Sequence, residues 1–152
     1  MRRSLLLFAF LGGVTLLAAG IAFAEITDVR CNGGECRGTG EDERLFGSAS
    51  EDLIYAGGGD DRVYGRRAND ALKGEQGNDK IDGQEGDDRV KGGPGRDRVF
   101  GDSGDDLVRG GTHTQADDGV PDILDCGDGT DTVYFTPGVD VVSNCEIRNP
   151  TQ

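Results

Sequence analysis

The chain contains no tryptophan, one methionine, one histidine and four prolines among its 152 residues, with six phenylalanines and three tyrosines as its whole aromatic complement. With glycine abundant, aliphatic content low and net charge large, the composition taken without regard to order is that of a chain that cannot bury enough surface to fold unaided. The single histidine, His113, leaves no second imidazole for a metal centre or an acid–base pair. No nucleophile, base and orienting group can be assembled around it, so no enzymatic activity is expected. Basic residues are outnumbered, 16 against 29 acidic, for a net charge of −13. Like charges repel, which argues against nucleic acid and anionic membranes as partners and for cations. No C-x-x-C pair is present, and zinc ribbons and dithiol redox motifs are built on one.

Long apolar runs are missing everywhere except at the N-terminus. There Arg2 and Arg3 precede an apolar stretch from Leu5 to about Ala22, closed by Ala22-Phe23-Ala24 before Glu25. A positive start, an apolar centre and a small-x-small site read as a secretory signal peptide over residues 1–24. The rival reading is an uncleaved anchor, since the stretch is near membrane-spanning length; the Ala-Phe-Ala site and the abrupt turn to polar sequence favour cleavage. Cleavage would leave 128 residues with 14 basic and 29 acidic groups, a net charge of −15, and no membrane-inserted segment. The expected location is extracellular or in the cell envelope. Cys31, Cys36, Cys126 and Cys145 all lie in the exported part, where oxidising conditions make disulfides the expected state. Four cysteines allow three pairings, and spacing alone does not choose among them.

What the chain does have is period. Asp52, Asp61, Asp70, Asp79, Asp88, Asp97 and Asp106 stand nine residues apart, and an aliphatic follows each by two: Ile54, Val63, Leu72, Ile81, Val90, Val99 and Val108. In frames running from Gly47–Tyr55 to Gly101–Arg109, the first residue is glycine in six of seven, and the fourth is Gly59, Gly77, Gly86, Gly95 or Gly104 in five. Glycines at positions one and four suit a tight turn whose backbone enters positive φ. The closing x-aliphatic-x triplet suits a short strand with its middle side chain inward. Each repeat is therefore expected to be a six-residue turn and a three-residue strand. Because a turn reverses the chain, two repeats make one coil of eighteen residues and alternate strands pair in parallel.

Segments such as Gly57-Gly58-Gly59-Asp60-Asp61-Arg62-Val63-Tyr64 and Gly92-Gly93-Pro94-Gly95-Arg96-Asp97-Arg98-Val99-Phe100 resemble the G-G-x-G-x-D-x-U-x nonapeptide of the RTX, or haemolysin-type, calcium-binding repeat family. The resemblance implies an all-β, right-handed parallel β-roll with calcium held in the turns between stacked coils. It covers residues 38–109 strongly and 119–142 weakly. Family members often carry such repeats beside a toxin or hydrolase domain and leave by a C-terminal signal. This chain is read as having neither, so those activities are not carried over.

The chemistry of the residues agrees. Calcium takes six to eight oxygens, and carboxylates with backbone carbonyls supply them. Eighteen-residue coils stack Asp52, Asp70, Asp88 and Asp106 in one column and Asp61, Asp79 and Asp97 in the other. At a strand spacing of about 4.8 Å these like charges repel unless a cation bridges them. The seven aspartates and the turn residues Gly59, Gly77, Gly86, Gly95 and Gly104 are the candidate metal-site residues. The pairs Asp61/Asp79, Asp79/Asp97 and Asp88/Asp106 keep the turn glycine. Asp70/Asp88 is intermediate, and Asp52/Asp70 is the weak pair because Ser50 and Ala68 replace glycine. A core this thin is not expected to order the chain alone, so metal binding and folding are expected to be one event. Extracellular calcium modules bind with dissociation constants on the order of 10⁻⁴–10⁻³ M, and the same is expected here.

The pattern decays toward both ends, as solenoid caps do. Gly38–Phe46 holds the frame with Glu43 in the aspartate place and Leu45 in the core place; residues 25–37 form an N-terminal cap in which a Cys31–Cys36 loop could close the first coil. Residues 110–118, with His113, Asp117 and Asp118, interrupt the period and read as an inserted loop. Asp117 and Asp118 could add a calcium ligand, though solvation is the expected fate. Residues 119–152 resume it, with Asp122, Asp131 and Asp140 followed by Leu124, Val133 and Val142. In the new phase Cys126 and Cys145 are nineteen apart, one coil plus one residue. A step of about 4.8 Å across strands and about 3.3 Å along one is within disulfide reach, which predicts Cys126–Cys145.

The outward positions hold Arg62, Lys80, Arg89 and Arg98 in place seven and Tyr55, Tyr64 and Phe100 in place nine. They are either charge balance for an acidic roll or a face for a cell-surface or polysaccharide partner. Two functions stay open: a secreted calcium-binding protein with a structural or interaction role, and an adhesin-like surface-binding module. Oligomeric state is not readable.

Overall fold

The computed structural model describes residues 26–111 and 119–150. The signal segment 1–24 and His113, Asp117 and Asp118 lie outside the described residues. Within them every element is a strand: β1 Thr27–Arg30, β2 Gly34–Arg37, β3 Glu43–Phe46, β4 Asp52–Gly58, β5 Arg62–Arg67, β6 Ala71–Gln76 and β7 Lys80–Glu85, then β8 Arg89–Lys91, β9 Arg98–Ser103, β10 Leu107–Arg109, β11 Ile123–Asp128, β12 Thr132–Phe135, β13 Val141–Ser143 and β14 Ile147–Pro150.

Odd-numbered strands form one seven-stranded sheet in chain order and even-numbered strands the other. All neighbours pair in parallel, as a coil of two repeats requires. The register is eighteen residues through the repeats, with Val63↔Ile81 and Ile81↔Val99 in one sheet and Ile54↔Leu72 and Leu72↔Val90 in the other. Between β9 and β11 it lengthens to Val99↔Leu124, and between β10 and β12 to Val108↔Val133. Both steps are seven residues longer than a coil, so the insertion leaves the roll between β10 and β11 and the chain re-enters in phase. The end coils are trimmed: Val29 pairs with Leu45 and Val133 with Arg148.

The two sheets close on one file of side chains, Leu45, Ile54, Val63, Leu72, Ile81, Val90, Val99, Val108, Leu124 and Val133, each buried. This is the eighth position of every frame, and the alternation of strand side chains puts its neighbours outside. Both predicted disulfides form, Cys31–Cys36 near the first coil and Cys126–Cys145 across the last ones, with Cα separations of 5.7 and 5.2 Å.

Three expectations need correction. The strands of most central repeats are six or seven residues long, because the sheet ladder continues past the strand into the turn, as in Arg66↔Gln84 and Gln84↔Asp102. Positive φ falls on positions two and four, for example Gly57 at 115° and Gly77 at 130°, and not on position one. First-position glycines are required for room instead: a Cβ on Gly74 would lie 2.2 Å from the Asp79 carboxylate and 2.9 Å from the Gly92 carbonyl oxygen. Lastly, the outward residues split between opposite faces. Arg62, Lys80, Arg98, Tyr64 and Phe100 are on the odd sheet, while Arg89 and Tyr55 are on the even one.

Candidate metal centre

Stacked turns make two columns of acids, as the eighteen-residue coil demands, but they are not on an exposed edge. The seven repeat aspartates are 0 to 3 % exposed. Each is held inward by a backbone N–H of the preceding coil: that of Asp61 donates to Oδ1 of Asp79 and that of Asp79 to Asp97, both at 2.9 Å. In the second column the N–H groups of Asp52, Asp70 and Asp88 donate to Oδ1 of Asp70, Asp88 and Asp106 at 2.7, 2.7 and 2.8 Å. The ladders cross the insertion, Asp97 to Asp122 and Asp106 to Asp131, and end on Asp140 and Glu146. Glu43 heads the first column by donating its N–H to Asp61.

One carboxylate oxygen is thus satisfied in each residue. The other, Oδ2, is buried without a hydrogen-bond partner in Asp61, Asp70, Asp79, Asp88, Asp106 and Asp131. A buried charged oxygen left unpaired is costly and calls for an explanation such as an ion. Burial pushes the carboxyls of Asp61, Asp70, Asp79 and Asp106 up to about 6 and that of Asp88 to about 7. The ladder N–H bonds pull the other way, and neighbouring carboxylates add to the rise. Burial, more than repulsion between neighbours, is what makes these groups resist ionisation.

The first-position glycines mark where oxygens converge. A Cβ on Gly83 would meet Asp88 Oδ2 at 2.4 Å and the Gly101 carbonyl oxygen at 2.7 Å, and on Gly65 the Asp70 Oδ2 and the Gly83 carbonyl oxygen at 2.7 and 2.5 Å. Fourth-position glycines let successive turns touch: a Cβ on Gly77 would be 1.9 Å from the Gly59 carbonyl oxygen, and one on Gly95 1.9 Å from that of Gly77. Asp70, Asp79 and Asp88 thus stand beside the carbonyls of the first-position glycines Gly83, Gly92 and Gly101, while Gly59, Gly77 and Gly95 meet the backbone of neighbouring turns, and the donors are all hard oxygens. That set suits calcium and excludes soft metals. No group of three or more His, Cys, Asp or Glu side chains forms a metal cluster among the described residues, so backbone carbonyls must supply much of any coordination shell.

Asp52 stands apart. Its Oδ1 accepts from the Gly33 N–H at 2.9 Å, and its Oδ2 from the Ser48 N–H at 2.6 Å and the Ser48 hydroxyl at 2.9 Å. Beyond the missing glycines of the Asp52/Asp70 pair, both Asp52 carboxylate oxygens are therefore already taken by hydrogen bonds. Of those two replacements, Ala68 takes φ of 75° while Ser50 avoids positive φ and its turn is reshaped around the Ser48 hydroxyl. The sequence signal for this is the hydroxyl at the second position, Ser48.

A model of the RTX calcium-binding nonapeptide repeat, four copies long, matches residues 37–72, 64–99 and 82–112, together half of the chain. No curated protein and no solved structure matches it.

Proposed function

The chain belongs to the RTX calcium-binding nonapeptide repeat family, and from that premise we propose that it is a secreted protein whose roll is assembled by calcium held between its turns. Asp61, Asp70, Asp79, Asp88, Asp97 and Asp106 supply carboxylate oxygens, and the glycine-rich turns around Gly59, Gly77, Gly86, Gly95 and Gly104 supply backbone carbonyls. Bound calcium contributes the positive charge that the buried carboxylates lack. The observation that carries this reading is the row of buried Oδ2 atoms with no donor. Filling the row ionises the aspartates and ties each coil to the next, so ligand binding stabilises the folded state by mass action. The biological role is structural or adhesive, outside the cell or at its envelope.

Calorimetric titration of chelator-treated protein, followed in parallel by far-UV circular dichroism, tests it. Saturable heat in the sub-millimolar to millimolar range with a concurrent gain of β signal is the expected result. A spectrum unchanged by millimolar calcium would refute coupled folding.

A second reading concerns the outer face of the even sheet. Lys73, Arg89 and Lys91 form no ion pair among the described residues, and they flank a shallow groove of about 530 Å³ with Leu53, Ala71 and Leu107. Tyr55 lies beneath Arg37 and Lys73, whose cationic groups are 4.2 and 4.4 Å from its ring centre. On so acidic a chain this strip suits an anionic polysaccharide. Binding to immobilised polygalacturonate, at fixed free calcium, that disappears in Lys73→Glu/Lys91→Glu but survives in Arg62→Glu/Arg98→Glu would support it; equal loss in both would overturn it.

A further inference from the structure

The ends of the roll differ from its middle in the second residue of the nonapeptide. Three turns carry a hydroxyl there. The N–H of Thr39 donates to Glu43 Oε2 at 2.6 Å, that of Ser48 to Asp52 Oδ2 at 2.6 Å and that of Thr136 to Asp140 Oδ2 at 2.7 Å. The hydroxyls of Thr39 and Ser48 add a second bond to the same carboxylates, each at 2.9 Å. None of these three acids has a buried unsatisfied oxygen among the described residues.

In the other repeats the second residue has crossed to positive φ: Gly57 at 115°, Arg66 at 86°, Glu75 at 78°, Gln84 at 78°, Asp102 at 73° and Gly127 at 101°. That rotation turns the peptide over. Its N–H leaves the carboxylate and joins the ladder of the adjacent coil, as Glu75 does by donating to the Gly92 carbonyl at 3.1 Å. The aspartates four residues on from these six are Asp61, Asp70, Asp79, Asp88, Asp106 and Asp131, and each has its Oδ2 buried and unsatisfied. Side-chain polarity does not explain the division, since glycine, arginine, glutamate, glutamine and aspartate all occupy the open turns. A short hydroxyl able to bond its own turn does explain it, because such bonds hold the local backbone in its ordinary conformation.

We infer that a Ser or Thr at the second position is a built-in substitute for calcium: it closes the turn by hydrogen bonds and takes the carboxylate out of metal binding. Thr39, Ser48 and Thr136 thereby make the two ends of the roll calcium-independent, and the disulfides Cys31–Cys36 and Cys126–Cys145 lie at these same ends. Calcium then loads a middle section between closed clamps. This rests on the calcium-binding reading above and assigns which turns take part in it.

The test compares the full chain with Ser48→Gly, which should open a turn, Glu75→Thr, which should close one, and Gln76→Thr, which places the same hydroxyl one position late. Calcium stoichiometry by calorimetry should rise by up to one ion in Ser48→Gly, fall by at least one in Glu75→Thr and stay constant in Gln76→Thr. Amide hydrogen exchange in chelator supplies a readout without metal: the Thr39, Ser48 and Thr136 amides should exchange at least tenfold more slowly than that of Asn78. Unchanged stoichiometry in both Ser48→Gly and Glu75→Thr, in a wild type that does bind calcium, overturns the inference and leaves the calcium-binding reading standing. A wild type that takes up no calcium defeats that reading, and uniform exchange across the chelated chain then defeats this one as well.

Discussion

Gly77→Ala tests how closely successive turns must approach. Gly77 sits at φ of 130°, and an added Cβ would lie 1.9 Å from the Gly59 carbonyl oxygen, whereas ordinary contact begins at 3.4 Å. The obstacle is backbone, so relief requires the coils to part by about 1.5 Å at that corner, the difference between those two distances. Parting them stretches the bonds from Asn78 N–H to Asp60 and from Lys80 N–H to the Asp61 carbonyl, both 2.9 Å. Two such bonds are worth about 1 kcal/mol each, and an unfavourable backbone conformation about 1–3 kcal/mol, for a total loss of about 3–5 kcal/mol. The control is Gly138→Ala. Gly138 has φ of 82° but nothing within 4 Å of a built Cβ, so only the conformational cost of about 1–2 kcal/mol applies. Urea unfolding at saturating calcium, followed by circular dichroism, should rank wild type above Gly138→Ala and Gly138→Ala well above Gly77→Ala. Equal midpoints for the two variants would refute the claim that contact between turns, and not backbone freedom alone, demands glycine at position four.

The raised carboxyls of Asp61, Asp70, Asp79, Asp88 and Asp106 make the metal-free roll bind more protons than its unfolded chain between about pH 4 and pH 7, so its stability falls as pH rises through that window. Chelated protein should therefore hold more β signal in circular dichroism at pH 5 than at pH 7.5, while calcium affinity, in competition with protons, should fall at pH 5; a chelated β signal that rises with pH would contradict the burial argument. Replacing both Cys126 and Cys145 by serine removes a cross-link spanning 19 residues and should cost about 3 kcal/mol in the chain-entropy picture, seen as a lower thermal midpoint in calcium. Leu72→Ala, at a fully buried site in the single file of core side chains, should cost about 2–5 kcal/mol; a loss below 1 kcal/mol in urea unfolding would mean the sheets close over the gap.

Much of the architecture is legible because one period controls it. An aliphatic two residues after each aspartate can only serve a parallel roll if it points inward, and all the repeat positions from Ile54 to Val108 do. The resumed phase at Leu124 and Val133 is legible for the same reason, and with it the Cys126–Cys145 bond. The candidate site was less transparent. That Asp79 is buried and held by the Asp61 N–H follows from where a backbone amide points after the chain has turned, which no spacing rule encodes. The need for glycine at Gly74 comes from a carboxylate in its own repeat and a carbonyl one coil away, so it resembles a turn glycine in sequence and differs in cause. Arg66, Glu75, Gln84 and Asp102 at positive φ run against residue preference; the ladder of the neighbouring coil imposes it. The separation of Arg89 from Arg62, Lys80 and Arg98 needed only that odd and even repeats be assigned to different sheets.

The insertion between β10 and β11 leaves both acid ladders unbroken, with Asp97 reaching Asp122 and Asp106 reaching Asp131 as closely as any pair eighteen residues apart. Stacking on either side of that point is set by where the chain returns, at Asp122 and Asp131, and not by a count of eighteen residues along it.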